Sequence, residues 1–377
     1  MKKSLMALAL MSAFSGAAFA QSNVTLYGIV DVNYMWQEGP TNTGTTAAPR
    51  IEQKSVSSIN SGHQSGSRWG VRGREELGGG LSAVFTLEGG YEVDRGVSGQ
   101  GGRLFGRQAY AGLSSGWGSL VAGRLASFSS GTGDFDMIGR VDPFLTGFGL
   151  AGAQNTFISM NATRVDNTIA YVSPTFAGFK AGVGYSTRID GAESAVPNSN
   201  IKATLFGANW TSGPFFVAAT YDVLNNVNNA PDQKHLQVGG TFDIASFRLH
   251  AAYASQSNIA IIGTPSTGGT GSFITLPTGI QNYDADSWLL GLTWTVTPAF
   301  KVFGSYQAFD ADGKTVVTGP TRVNFEPDYN VMGIGATYNL SRRTNLYTSW
   351  ASRDSDGTII GNNGDSSQFA VGVRHLF

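Results

Sequence analysis

Along most of the chain, apolar and polar residues alternate with a period of two. Near the N-terminus Val24, Leu26, Gly28, Val30, Val32 and Tyr34 share one face, against Thr25, Tyr27, Asp31 and Asn33 on the other. The alternation returns at 81–93, 236–243, 247–253, 288–296 and 332–340. In the last of these, Met332, Ile334, Ala336, Tyr338 and Leu340 oppose Gly333, Gly335, Thr337 and Asn339. Successive side chains of a strand point to opposite faces, so this period predicts strands. No helical stripe of useful length competes. Short connections at 75–80, 115–118, 173–178, 212–214, 244–246, 297–299 and 340–343 alternate with long ones. The long ones lie at 37–64, 94–102, 128–162, 189–199, 225–232, 258–283, 311–327 and 355–365. Seven short turns and eight long loops separate sixteen strands. The predicted fold is all-β: a closed, antiparallel, up-and-down barrel with short turns on one rim and long loops on the other. An even strand number puts both chain ends on the short-turn rim.

Alternation alone does not say which face is wet. A soluble sandwich buries its apolar face, whereas a membrane barrel turns that face to lipid and keeps a polar lumen. Sixteen strands with polar partners supply more inward polar positions than a packed core accepts. Trp36, Tyr91, Trp210, Trp288, Tyr338 and Trp350 stand at predicted strand ends, as an interfacial girdle requires. The last strand, 368–377, ends on Phe377, an aromatic suited to a membrane interface. The expectation is therefore a transmembrane barrel.

Composition sharpens this picture. Gly accounts for 51 of 377 residues and charged residues for 14%. Average proteins hold about 7% Gly and about 25% charged residues. The lack of Cys excludes thiol catalysis, thiolate metal sites and disulfides. A net charge of −1 argues against nucleic acid as a partner. At the start, Lys2 and Lys3, the apolar run 5–14 and Ala18-Phe19-Ala20 form an export signal cleaved after Ala20. The expected organisation is a signal peptide at 1–20 and one barrel domain at 21–377. No later run is long and apolar enough for a membrane helix. Export without cysteine fits the envelope of a Gram-negative cell.

Several segments carry a more specific resemblance. They are 24–31 (VTLYGIVD), 67–81 (SRWGVRGREELGGGL), 107–113 (RQAYAGL), 118–124 (GSLVAGR), 164–171 (RVDNTIAY) and the terminal Phe377. In this order and spacing the chain resembles a Gram-negative general porin of the β-proteobacterial type. The resemblance implies a sixteen-stranded barrel, a homotrimer, passage of ions and small hydrophilic solutes, and a third loop folded into the pore. Phe377 would be the signal read by the barrel-assembly machinery. Lipid and lipopolysaccharide would be the surrounding partners. Carried over residue by residue, Arg68, Arg107 and Arg164 match a basic ladder on the wall. Arg124 matches a further basic position at the end of strand five. The third loop, 128–162, offers Asp134, Asp136 and Asp142 as the opposing acids. It lacks the Pro-Glu-Phe-Gly-Gly run of enteric porins. Opposed cations and carboxylates would orient water and bias ion traffic. With Arg140 in the loop, the local balance leans cationic and toward anions. Gln108 falls on the lipid-facing parity of strand four, which would suit a subunit contact.

Other chemistry finds little support. Gly112-Leu113-Ser114-Ser115-Gly116 matches a nucleophile-elbow pattern, but a strand follows where that motif needs a helix. His63, His235, His250 and His375 are scattered, so no metal site is expected. The segments 310–313 and 354–357 resemble fragments of calcium loops but lack the Gly and Glu that an EF-hand needs. No cofactor and no enzymatic activity are expected. The competing readings are a substrate-specific channel of the same fold, an outer-membrane hydrolase and a secreted β-rich binding protein.

Overall fold

The computed structural model describes residues 23–42, 51–153, 164–227, 231–259, 283–312, 314–318, 321–325, 328–355, 358–359, 362–363 and 365–377. The predicted leader, 1–20, lies outside these residues. So do most of the long connection 258–283, the end of the third loop and parts of the two calcium-like fragments.

The chain closes into a barrel of sixteen antiparallel strands. β1 is Asn23–Asn42, and β2 runs over Ile51–Ser61 and again over Arg68–Gly78. β3 is Leu81–Glu92, β4 Gln108–Ser115, β5 Gly118–Ala126 and β6 Arg164–Val172. β7 is Phe179–Ser186, β8 Lys202–Ser212, β9 Phe215–Asn225 and β10 Gln233–Ile244. β11 is Phe247–Ile259, β12 Tyr283–Thr295 and β13 Phe300–Ala311. β14 is Tyr329–Asn339, β15 Thr344–Ser355 and β16 Ser366–Leu376. Each strand pairs with its neighbour in sequence. β1 closes the seam against β16, in the register Ile29↔Leu376 to Glu38↔Ser367.

The polarity is inverted relative to a soluble protein. Leu26, Ile169, Leu290, Met332 and Ile334 are exposed on the outer face. Asp222, His235, Gln237 and Gln307 are buried inside. Exposing this much apolar surface to water would be unfavourable at about 25 cal/mol per Å², so lipid is the solvent that fits the outer face. Beside the short turns, cross-strand aromatic pairs form a belt: Phe215 with Phe242, Phe247 with Trp294 and Phe300 with Tyr338. Such rings suit the interface between hydrocarbon and water.

Three expectations need correction. The stretch 37–64 is not one loop. β1 and β2 pair from Val32↔Ser61 out to Asn42↔Ile51, a ladder that polar residues such as Ser55, Ser57 and Asn60 disguise in sequence. The connection 311–327 contains a small hairpin, Lys314–Thr318 against Thr321–Phe325. Gln108 does not face lipid: it is buried inside, where its Oε1 accepts the Asp134 amide at 3.0 Å. Arg107 precedes the strand, so counting parity from it misplaces the first strand residue.

Candidate functional site

The third loop leaves β5 and runs around the inner wall. Its first serines fix the departure: Ser129 donates through Oγ to Asp222 on β9. Phe128 and Met137 then pack over Gly182 on β7 and Gly207 on β8, where a Cβ would come within 3.0 Å of their side chains. Met137 offers its carbonyl to Asn209 Nδ2 at 3.3 Å. Arg140 reaches Asp243 on β10 at 3.4 Å and stacks on Phe216. His250 Nδ1 on β11 donates to the Val141 carbonyl at 3.1 Å. Pro143 lies on Gly291 of β12, where an added Cβ would be 2.4 Å from its Cγ. Phe144 and Phe148 pack with Phe303 and Tyr347, and Gln307 Nε2 donates to the Ala151 carbonyl at 2.8 Å. Leu150 N donates to Gln368 Oε1 on β16 at 2.9 Å. The loop is thus a belt that contacts most of the circumference. Glycines on the wall make its track, because only they let the backbones approach so closely.

The four arginines gather on the wall from β2 to β6. Arg68 sits 3.9 Å from Glu88, and Arg107 holds the same Glu88 Oε1 through Nε at 2.7 Å. Arg107 Nη2 also approaches Thr132 Oγ1 of the loop at 3.4 Å. Arg124 Nη1 binds Asp166, and its Nε donates to the Gly106 carbonyl at 2.8 Å. Arg164 feels the charges of Arg107, Arg68 and Arg124 and, against them, that of Glu88, and its buried Nε has no hydrogen-bond partner among the described residues.

Two carboxylates were missed by sequence reading. Glu88 joins Arg68 and Arg107. Asp166 is a hub that takes Arg124, two bonds from Arg103 Nη1 at 3.0 and 2.8 Å, and the Gly191 amide at 2.8 Å. Parity was the available signal for Glu88, which stands with Ser82 and Thr86 on the polar face of β3. For Asp166 the adjacent positions of Arg164 and Asp166 on one strand face gave a signal of the same kind.

The three loop acids have different fates. Asp134 is exposed and accepts from Tyr110 Oη at 2.6 Å and Thr86 Oγ1 at 3.1 Å. Thr86 is two residues from Glu88 on β3, so this acid lies beside the basic wall and does not oppose it from across the lumen. Asp136 turns back onto its own loop, accepting from Ile138 N at 3.3 Å and Gly139 N at 2.9 Å. Asp142 is buried and accepts from Phe144 N at 2.9 Å, Thr146 N at 2.8 Å and Ala153 N at 2.9 Å. Burial pushes both carboxyls up to about 6, and the amide bonds pull partly against it. Asp142 is therefore corrected from a lumen acid to the organiser of the loop. Asp136 serves the same local purpose at the preceding turn. An acid two to four residues before unpaired amides is a local turn former, and sequence does not distinguish that use from pore lining.

The serine motif falls on the β4–β5 turn, with Ser114 opposite Ser119. No helix follows Ser114, so the strained strand-to-helix elbow is not formed there. Among the described residues no group of three His, Asp or Glu side chains is placed to hold a metal. Phe377 exchanges two backbone hydrogen bonds with Gly28, each 3.1 Å, and its ring covers that glycine.

Residues 7–358 match the sequence profile of a family described as Gram-negative porin. An outer membrane porin protein of Bordetella pertussis is 35% identical over 412 residues, spanning 100% of both chains. Among solved structures, the anion-selective porin from Comamonas acidovorans has a TM-score of 0.69 at 22% identity, covering 95% of this chain and 100% of that one. The trimer form of OmpT from Vibrio cholerae has a TM-score of 0.62 at 14% identity, covering 94% of this chain and 99% of that one.

Proposed function

The chain belongs to the Gram-negative porin family, and on that premise we propose how its lumen selects what passes. The protein is an outer-membrane channel for passive diffusion. We read Arg68, Arg107, Arg124 and Arg164 as the basic wall of its constriction, with mild preference for anions. With Arg103, which shares Asp166, five guanidinium groups there stand against four carboxylates: Glu88, Asp166, Asp190 and Asp134. The observation that carries the reading is Arg164: it forms no salt bridge among the described residues, and the acid whose charge it feels, Glu88, already holds Arg68 and Arg107. Lumen water weakens each interaction, so the surplus biases traffic without trapping ions. Charges beyond about 10 Å are screened at 0.1 M salt, so this local surplus outweighs the chain's negative total.

Replacing Arg68, Arg107 and Arg164 together with Ser should move the zero-current potential in a KCl gradient toward cations. It should also admit larger sugars in liposome swelling. An unmoved potential in a conducting triple variant would place these arginines outside the constriction.

The assembly is read as a homotrimer in lipid and lipopolysaccharide, supported by the trimer form of a structural neighbour. The leader is read as cleaved after Ala20. Enzymatic activity has no place in this reading, because the matched relatives are channels.

A further inference from the structure

β2 is broken in mid-barrel by an inward step. The first part of β2 ends at Ser61 opposite Val32, and the second part resumes at Arg68 opposite Ile29. Two residues of β1, Val30 and Asp31, therefore face six residues of β2, 62–67. The surplus chain turns sharply at Gly62, whose φ is +76°, and an added Cβ there would be 2.9 Å from Gly66 Cα. Asp31 holds the step from below. Its carboxylate accepts Ser65 N at 2.7 Å and Tyr347 Oη at 2.5 Å. Its carbonyl accepts Gly62 N at 2.9 Å and Ser67 Oγ at 3.1 Å.

The step touches both halves of the aperture. On the arginine side, Gly66 offers its carbonyl to Arg68 Nε at 2.9 Å, and a Cβ on Gly66 would be 3.1 Å from Arg107 Nη1. Ser65 Oγ accepts Arg374 Nη1 at 2.9 Å. On the loop side, the His63 carbonyl accepts Phe148 N at 2.5 Å, and a Cβ on Gly147 would be 2.1 Å from the Gln64 carbonyl. The His63 ring stacks on Tyr347. Gln64, Ser65 and Gly66 keep partial solvent access, while His63 and Ser67 are buried.

We propose that residues 64–66 are a second constriction element, a lip that completes the ring begun by the third loop and fixes where Arg68, Arg107 and Arg374 present their charges to passing ions. This rests on the reading of the lumen as the permeation path. The glycine at 66 leaves room for the Arg107 guanidinium, and Ser65 gives Arg374 a neutral hydrogen-bond acceptor. The solutes that sense this lip are small anions moving along the arginines.

The absence of Cys makes the test clean. Ser65→Cys, nearly isosteric, is placed in the full-length protein and reconstituted in planar bilayers. A sulfonate-bearing and a trimethylammonium-bearing methanethiosulfonate are then applied. Both should lower single-channel conductance in steps. The sulfonate should move the zero-current potential toward cations and the ammonium toward anions. Complete labelling by mass with unchanged conductance and potential would overturn the proposal, as would a thiol unreactive in the folded barrel. Gln64→Cys, which leaves the Ser65 contacts intact, gives the same readouts if Ser65→Cys does not reach the folded, heat-modifiable form. Wild type that opens no channels would instead defeat the porin reading itself.

Discussion

At the scale of single residues, the charges divide into those that build the barrel and those left over for solutes. Glu88 is shared by two arginines, so on the proposed reading it sets how much positive charge the lumen sees. Glu88→Gln should make the channel more anion-selective, by up to about five-fold in permeability ratio if one charge at 4 Å in water-like surroundings is lost. A KCl-gradient recording checks the sign. Asp142 acts on the loop instead. Its three amide bonds hold a turn in which Leu145, Thr146 and Phe148 all have positive φ, at 51°, 61° and 64°. Such backbone persists only where its surroundings over-determine it. Because burial raises this carboxyl to about 6, the folded state binds its proton more tightly than the unfolded chain does. Its contribution to stability is full below about pH 4, falls as pH rises toward about 6 and then stays flat. The span is at most about 3 kcal/mol. Thermal unfolding of Asp142→Asn from pH 4 to 7 should show a flatter pH profile than wild type, and a lower midpoint at pH 4 because one amide acceptor is lost.

At the scale of elements, strands were legible and the loop was not. Alternation of the kind seen at 332–340 reports which face is apolar, and the register Tyr338↔Phe300 agrees with it. The short turns lay where Gly, Pro and Ser cluster, as at Gly213-Pro214. Motif resemblance singled out Arg68, Arg107, Arg124 and Arg164, and the structure brings the four together on or beside neighbouring strands. What stayed hidden was pairing across sequence distance: Arg124 finds Asp166 and Arg140 finds Asp243, forty or more positions away. The step at 62–67 was hidden because a polar, glycine-rich stretch reads as loop wherever it lies. The glycine track was hidden for a different reason: Gly182, Gly207, Gly291 and Gly333 look like ordinary strand glycines until the belt lies on them. Gly291→Ala would place a Cβ 2.4 Å from Pro143 Cγ and Gly333→Ala one 2.8 Å from Ala151 Cβ. The double variant should push the belt off the wall into the lumen. Single-channel conductance should fall, while heat-modifiable migration of the barrel persists, because the strand ladders are untouched. Unchanged conductance would mean that the belt does not set the aperture.

At the scale of the whole molecule, the barrel exists only when its first and last strands meet, and Phe377 stands at that seam. Gly28 and Phe377 exchange both backbone hydrogen bonds, and a Cβ on Gly28 would lie 2.2 Å from the Phe377 ring and 2.6 Å from the Arg68 carbonyl. Closure therefore joins Phe377, the first strand and the strand carrying Arg68. Two roles of Phe377 can be separated. If the ring is what the assembly machinery reads, Phe377→Ala, which keeps both backbone bonds, should lower the yield of folded barrel in cells. The same variant refolded from denaturant into detergent should approach wild type, since no machinery is present. If the seam alone matters, deletion of Phe377 should impair both routes, because it leaves Gly28 N–H and C=O without partners at the closing edge. Each such buried group costs about 1–3 kcal/mol. Phe377→Tyr, aromatic and of similar size, should restore assembly in cells. Comparing heat-modifiable barrel from the two routes for all three variants decides the matter: normal cellular assembly of Phe377→Ala would leave the terminal aromatic as a packing residue over Gly28 and nothing more.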